Sequence, residues 1–314
     1  MGQLCFGVDI GGTAVKTGLF SAEGELLKKW DFVTKRTGDG KDILKDTAHF
    51  VLKQTRELKL NREELAGIGV GVPGPVRENG EVLELPNLGL GHFNIEEELT
   101  GLTGLPVKAG NDANVAALGE LWQGSGQGYK NMVLVTLGTG VGGGIILNGT
   151  VLAGSNGAAG EIGHILVRED ESIRCGCGKA GCLEQYASAT GIARLAKARL
   201  AAADEPSRLR RLNDINAKQV FDAALEGDTL ALWVVDEALR YLGIAFSHIA
   251  QVIDPEVFVI GGGVSRAGSI ITDTVKKHYE RNVMDALKNK EFRLATLGND
   301  AGIYGSAKLI LASK

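Results

Sequence analysis

No stretch of this chain is apolar for long enough to span a bilayer. A secretory leader is not expected either, because the first apolar run begins at Leu4 and meets Asp9 almost at once. Charge of one sign is missing too: 34 basic residues face 38 acidic ones, for a net −4. That balance gives no general attraction to nucleic acid or to a membrane surface. Cysteine is scarce, with four in 314 residues, and nothing suggests a disulfide framework, so a reducing cytoplasm is the expected setting. There is no Gly-x4-Gly-Lys-Ser/Thr sequence, so any phosphate is held by something other than a P-loop. No flexible linker interrupts the chain, and Asp204–Asn213 reads as a charged surface loop. What remains is an ordinary globular composition, long enough for two domains with sizeable cores.

Against these absences, two features stand out. Glycine is about twice as frequent as usual, 45 residues gathered in short clusters beside apolar runs, which reads as functional turns rather than disorder. Three of the four cysteines, Cys175, Cys177 and Cys182, lie with His164 inside 19 residues. Zinc favours such a tetrahedral Cys3His set. Cys-x-Cys is tighter than a standard knuckle, and Gly176, Gly178 and Gly181 would let the backbone turn sharply around an ion. The plainer alternative, reduced core cysteines, fits poorly because free cysteines rarely cluster among glycines and charges. A Cys-x-Cys disulfide would be strained. Cys5, in an apolar run, reads as a core residue.

Apolar periodicity predicts strands at Leu4–Ile10, near Lys16–Ser21 and around Leu26–Val33, then a helix over Lys41–Leu58. Leu65–Val72 reads as a buried strand, Ile95–Leu102 as a helix capped by Asn94, Pro106–Ala109 as a strand and Asp112–Trp122 as a helix. The second half opens like the first, with a strand at Met132–Leu137, a glycine-rich turn, and a strand at Ile145–Leu147 leading into the hairpin signal Asn148-Gly149. Helices follow at Gly191–Ala203, Ala217–Leu225 and Thr229–Val252, a strand at Val257–Ile260, a helix from about Ala267 to Leu287, a strand at Phe292–Leu297 and a closing helix at Ala301–Ala312.

Three glycine clusters follow predicted strands: Gly11-Gly12-Thr13, Gly138-Thr139-Gly140 and Gly261-Gly262-Gly263. Any one alone reads as a tight turn, but such turns also let backbone amides close on a phosphate. Asp9 before the first cluster suits Mg²⁺, and Lys16 after it suits phosphate charge. The G-x-G-x-x-G expression matches three times, yet never in the strand–turn–helix setting of a dinucleotide fold. Asn111-Asp112-Ala-Asn114 sits where a strand meets a helix. Asp112 there is either a cap or a general base, with Asn111 a hydroxyl-binding amide. Glu161 and Glu184 bracket the Cys3His segment and, with the imidazole of His164, would suit vicinal sugar hydroxyls; the alternative is surface carboxylates in a polar loop.

Together these motifs resemble the ROK family of sugar kinases, and within it bacterial glucokinases. The matching residues run in chain order: Asp9-Ile-Gly-Gly-Thr13 with Lys16, Gly110-Asn-Asp-Ala-Asn114 with Gly119-Glu120, Leu137 to Gly144 through Gly160 to His164, Cys175 to Glu184, and Ile260 to Gly263. The resemblance implies an α/β, two-domain actin-like (ribonuclease-H-like) ATPase fold with an interdomain cleft and a structural zinc loop. The domains would be residues 1–110, with the helix of 301–314 packed back on them, and 111–300. Asp112 would deprotonate the sugar's 6-hydroxyl. Asn111, Glu161, His164, Glu184 and, from a loop, Asn87 would hold sugar. Asp9, Gly11, Gly12, Thr13, Lys16, Gly138, Thr139, Gly140, Gly262 and Gly263 would bind Mg-ATP. His164, Cys175, Cys177 and Cys182 would hold a structural Zn²⁺.

The implied reaction is phosphoryl transfer from ATP to an aldohexose, glucose first, in the cytoplasm. A kinase of N-acetylmannosamine or another hexose shares these motifs. A non-catalytic sugar sensor would keep the sugar residues but lose the base or the phosphate motif, and Asp9, Lys16 and Asp112 are all present. With three residues ahead of the first strand, a preceding helix-turn-helix is not expected. The expected partners are sugar, ATP and further copies of the chain as a dimer or tetramer, with neither nucleic acid nor membrane.

Overall fold

A computed structural model describes residues 3–35, 42–83 and 88–313. The chain divides into two compact units, one of residues 1–130, 144–160 and 297–314, the other of residues 131–143 and 161–296.

The first unit opens with β1 (Leu4–Ile10), β2 (Ala14–Phe20) and β3 (Leu26–Val33), an antiparallel run. After α1 (Asp42–Glu57), β4 (Leu65–Val72) adds to β1 in parallel. A small β5–β6 ribbon (Glu81–Val82, Phe93–Asn94) leads into α2 (Ile95–Thr103). β7 (Val107–Asn111) then joins β4 in parallel, and α3 (Asp112–Gln123) follows at once. Asn94 Oδ1 accepts from the amides of Glu96 and Glu97 and fixes the start of α2. The sheet order is β3-β2-β1-β4-β7. Side chains of β1 alternate between two cores, Phe6, Val8 and Ile10 in one and Cys5 in the other, so both faces of the sheet are covered.

The second unit carries β8 (Met132–Leu137) and the start of β9 (Val141–Leu147), whose last residues and β10 (Thr150–Val151) count with the first unit. Next come α4 (Glu184–Ala187), α5 (Ala189–Ala202), α6 (Ala217–Leu225) and α7 (Thr229–Ile253). β11 (Val257–Gly261), α8 (Ser269–Asn282) and β12 (Glu291–Leu294) complete it, and α9 (Ala301–Ala312) returns to the first unit. The second sheet has the order β10-β9-β8-β11-β12, with β11 parallel to both β8 and β12. Strand for strand it repeats the first sheet, a duplication that individual residues do not display. Against the second sheet Phe246, Phe258 and Phe292 stack, and Tyr279 meets Phe258 and Phe292 edge-on.

The final helix α9 packs on β1, β4 and α3. It comes so close that a Cβ on Gly69 of β4 would lie 1.7 Å from the Ser306 carbonyl oxygen, and one on Gly305 would lie 1.5 Å from that of Val115. Part of the glycine excess therefore serves helix packing and not turns. The packing of α3 on α9 carries the first unit on to Lys130, where the sequence had suggested a divide near Gly110. Two other elements differ from expectation. Gly142–Gly144 lie within β9 rather than in a turn, and the helix expected over 267–287 is α8 with short 3₁₀ turns at Gly263–Ala267 and Asp285–Leu287, because Gly268 adopts φ 83°. No helix of the described residues is long and apolar enough to cross a membrane.

Candidate active site

In the first unit, the turn from Gly11 to Thr13 joins β1 to β2. Gly11 N donates to Ala14 O at 3.0 Å, and Thr34 closes the turn from outside through its amide to Thr13 O and its hydroxyl to Gly11 O. Asp9, next to last in β1, lies on the face covered by α9, directly across the ladder from Lys16. Burial raises the Asp9 carboxyl above its usual range, and the Lys16 ammonium, 3.9 Å away, offsets part of that rise. Lys16 also donates to the carbonyl of Asn299 at 2.9 Å, so here its ammonium ties β2 to the segment before α9.

Asp112 is the first residue of α3, and it is exposed. The cap is its neighbour: Asn111 Oδ1 accepts from the amides of Ala113 and Asn114. Asn111 Nδ2 then donates both to the carbonyl of Gly74 and to Asp112 Oδ1, at 3.2 and 3.1 Å, and Ala113 N donates to the same Asp112 oxygen at 2.8 Å. The carboxylate is aimed by its own helix start. Asn111, expected to contact hydroxyls, thus caps α3 through its oxygen and ties Gly74 and Asp112 together through its nitrogen. Glu120, fully buried, takes hydrogen bonds from Ser125 N and Leu297 N and pins the end of α3 to the start of the return segment. Asn87 lies outside the described residues.

The second unit holds the metal-type cluster. The ligating atoms of His164, Cys175, Cys177 and Cys182 all lie within 4.8 Å of one another. Cys175 Sγ is 3.7 Å from His164 Nδ1, and Cys177 Sγ is 3.6 Å from Cys182 Sγ. Both cysteine sulfurs are far beyond a disulfide, and a tetrahedral zinc with Zn–S near 2.3 Å sets its sulfurs about 3.8 Å apart. The donor set therefore fits zinc. Bridges between Leu166 and Cys182 and between Arg174 and Ala180 hold the loop, and a Cβ at Gly181, where φ is 75°, would lie 1.8 Å from Arg168 O. Gly176 meets no such constraint. Burial pushes the Cys182 thiol up to about 12. Cys5 is a plain core thiol, fully buried.

His164 divides its two nitrogens. Nδ1 faces Cys175, while Nε2 is 3.9 Å from Glu161 Oε2. Glu184 Oε1 lies 3.7 Å from Cys175 Sγ, so Glu161, His164, Cys175 and Glu184 form one chain of near contacts. The Gly138–Gly140 turn joins β8 to β9 as Gly11–Thr13 joins β1 to β2, and Gly138 N donates to Gly140 O. Gly262, with φ 83°, follows β11 so closely that a Cβ would lie 2.4 Å from Leu137 O; Gly263 has open space. The sequence carries no signal for Gln185, Ser188 and Thr190, polar residues that belong to no motif and whose hydrogen bonds to the zinc loop and to the Gly138–Gly140 turn form only in the folded chain.

Two sheets of one topology, each with a glycine turn after its first strand, are the plan of the actin-like ATPases. The chain belongs to the ROK family, whose profile matches residues 5–313. A glucokinase of Halalkalibacterium halodurans is 44% identical over 97% of this chain and 94% of its own length. A ROK-family glucokinase of Streptomyces griseus, solved in complex with glucose and AMPPNP, is 35% identical with a TM-score of 0.77 and covers 98% of both chains. A ROK hexokinase of Thermus thermophilus is 32% identical with a TM-score of 0.83, covering 97% of both chains.

Proposed function

We propose that this protein transfers the γ-phosphoryl group of Mg-ATP to the 6-hydroxyl of glucose, giving glucose 6-phosphate and ADP in the cytoplasm. The observation that carries the reading is near full-length similarity to glucokinases, one of them solved with glucose and an ATP analogue. The intact Asp112 constellation supports it.

Asp112 accepts the proton as the 6-oxygen attacks; the new O–P bond forms while the bond from the γ-phosphorus to the β–γ bridging oxygen breaks, and ADP leaves. Amides of the turns at Gly11–Thr13 and Gly138–Gly140 meet charge on the phosphoryl oxygens, and Asp9 positions Mg²⁺. Lys16 supplies positive charge beside the first turn, and Gly262 and Gly263 pack on the nucleoside. Glu161, His164 through Nε2, Glu184 and Asn87 bind the sugar's other hydroxyls, with Asn111 holding the base in place. His164, through Nδ1, Cys175, Cys177 and Cys182 would hold zinc, which would supply rigidity, since a closed Cys3His set leaves no position for a reacting water. The chain acts as a dimer or tetramer.

The test is a coupled ADP-release assay with ATP across glucose, mannose, N-acetylmannosamine, N-acetylglucosamine, allose and fructose. The highest kcat/KM is expected with glucose. A clear preference for an N-acetylhexosamine would reassign the substrate, and no turnover with any sugar would make the protein a sensor. The Asp112→Asn variant should lose about 10²- to 10⁴-fold in kcat while still binding glucose.

A further inference from the structure

The Gly138–Gly140 turn does not stand alone in the second unit. The segment that leaves the last cysteine of the zinc loop grips it at three points, at Gly138, at Thr139 and at Val141 just beyond the turn. Ala189 N donates to Gly138 O at 2.8 Å. The Thr190 hydroxyl donates to Thr139 O at 2.8 Å. Val141 N donates to Glu184 Oε2 at 3.0 Å. Gly140 fits against the same carboxylate so tightly that a Cβ there would lie 2.3 Å from Glu184 Oε2. The Thr190 hydroxyl is oriented by Ser188 Oγ at 2.9 Å, and that buried serine also caps α5 by accepting from Gly191 N.

At its other end this segment is bound into the zinc loop. Glu184 Oε1 lies 3.7 Å from Cys175 Sγ. Leu183 N donates to Ile165 O, and Cys182 N donates to Gln185 Oε1. Gln185 Nε2 donates in turn to Ile173 O at 2.6 Å, and Arg194 holds the Gln185 carbonyl at 2.9 Å. Residues 182–190 thus form one braced strut, with a metal-type ligand at one end and the glycine turn at the other.

We propose that the zinc loop sets the geometry of the phosphate-binding turn as well as that of the sugar-binding groups, with Glu184 and Thr190 as positioning residues for ATP. The inference rests on the reading that Gly138–Gly140 bind phosphate. A glycine turn binds an anion well only when its amides already converge, because otherwise binding must bear the cost of ordering them. The three bonds from the strut supply that order. Loosening the strut at the turn should weaken nucleotide binding and leave sugar binding alone, whereas removing the metal should weaken both.

Thr190 is exposed and lies outside the proposed sugar site, which makes it the cleanest probe. Calorimetric titration of the zinc-loaded Thr190→Val enzyme with AMPPNP should show affinity lower by about 3- to 10-fold, the size of one lost hydrogen bond, with glucose affinity and zinc content unchanged. Thr190→Ser, which keeps the hydroxyl, should restore AMPPNP binding. Chelator-stripped parent enzyme should lose affinity for AMPPNP and glucose together. Gly138→Ala tests the underlying reading separately, because its Cβ would meet no protein atom within 4 Å and projects into open space. Loss of AMPPNP binding in that variant supports phosphate at the turn. If Gly138→Ala loses AMPPNP but Thr190→Val binds it like the parent, the coupling is wrong and the phosphate reading survives. If Gly138→Ala binds AMPPNP normally, both fall. Equal weakening of glucose and AMPPNP in Thr190→Val, or loss of its zinc, would mean general loosening and would also overturn the proposal.

Discussion

Asp112 owes its position to the residue before it. Asn111 caps α3 with its oxygen and orients the carboxylate with its nitrogen, so stability and the catalysis proposed for Asp112 are separable at this one side chain. Asn111→Asp keeps the capping oxygen, at a helix N-terminus that favours negative charge, but loses the donor to Gly74 and Asp112. Its melting temperature should stay within a few degrees of the parent while kcat falls at least about tenfold, measured by thermal unfolding beside the coupled assay. Equal losses in both would mean that Asn111 acts only as a cap. Cys177 is the exposed member of the Cys3His set. Cys177→Ser should lose zinc and glucose affinity together, read as metal per chain and by glucose titration; unchanged sugar binding in a zinc-free variant would break the link between the loop and the substrate.

At the scale of single elements, most of the structure was legible because the signals are local. Asn94 caps the helix that the sequence assigned to it, and Asn216 and Asp228, the residues just ahead of two later expected helices, cap α6 and α7. Asn148 and Gly149, with φ of 51° and 78°, make the hairpin that their order implies. The cap of α7 can be tested through pH. Burial alone would raise the Asp228 carboxyl, but hydrogen bonds from Ala231 N, Arg208 N and the Ser207 hydroxyl outweigh it and hold the group below its usual range. A depressed carboxyl stabilises the fold fully above its unfolded value, about 3.9, and stops doing so as pH falls through the folded value. Asp228→Ala should therefore lower unfolding free energy by about 1–2 kcal/mol at pH 7, and its gap from the parent should close only below about pH 4 in denaturant titrations. Where local signals failed, packing had intervened: the glycine run of β9 read as a turn, yet Gly144 is strand, seated so close to α3 that a Cβ would lie 2.6 Å from Ala113 O.

For the molecule as a whole, glycine is the residue whose meaning changed most. At Gly69 and Gly305 it lets α9 approach a strand and a helix at backbone distance. Gly69→Ala should destabilise by about 3 kcal/mol or more in urea unfolding, or fail to fold, since the clash is with backbone that cannot swing aside. Gly101→Ala, inside α2 and facing open space, should instead stabilise by about 0.5–1 kcal/mol. The sequence alone settled most of the elements, the caps of α2, α6 and α7, the Cys3His set and the family, because each is written in neighbouring residues whose backbone and ligand chemistry admit few alternatives. It could not show that one sheet plan is used twice, that Asn111 rather than Asp112 is the cap, that Lys16 reaches Asn299, or that Glu184 and Thr190 grip the glycine turn. Those depend on which distant backbones meet, and only the packed chain decides that.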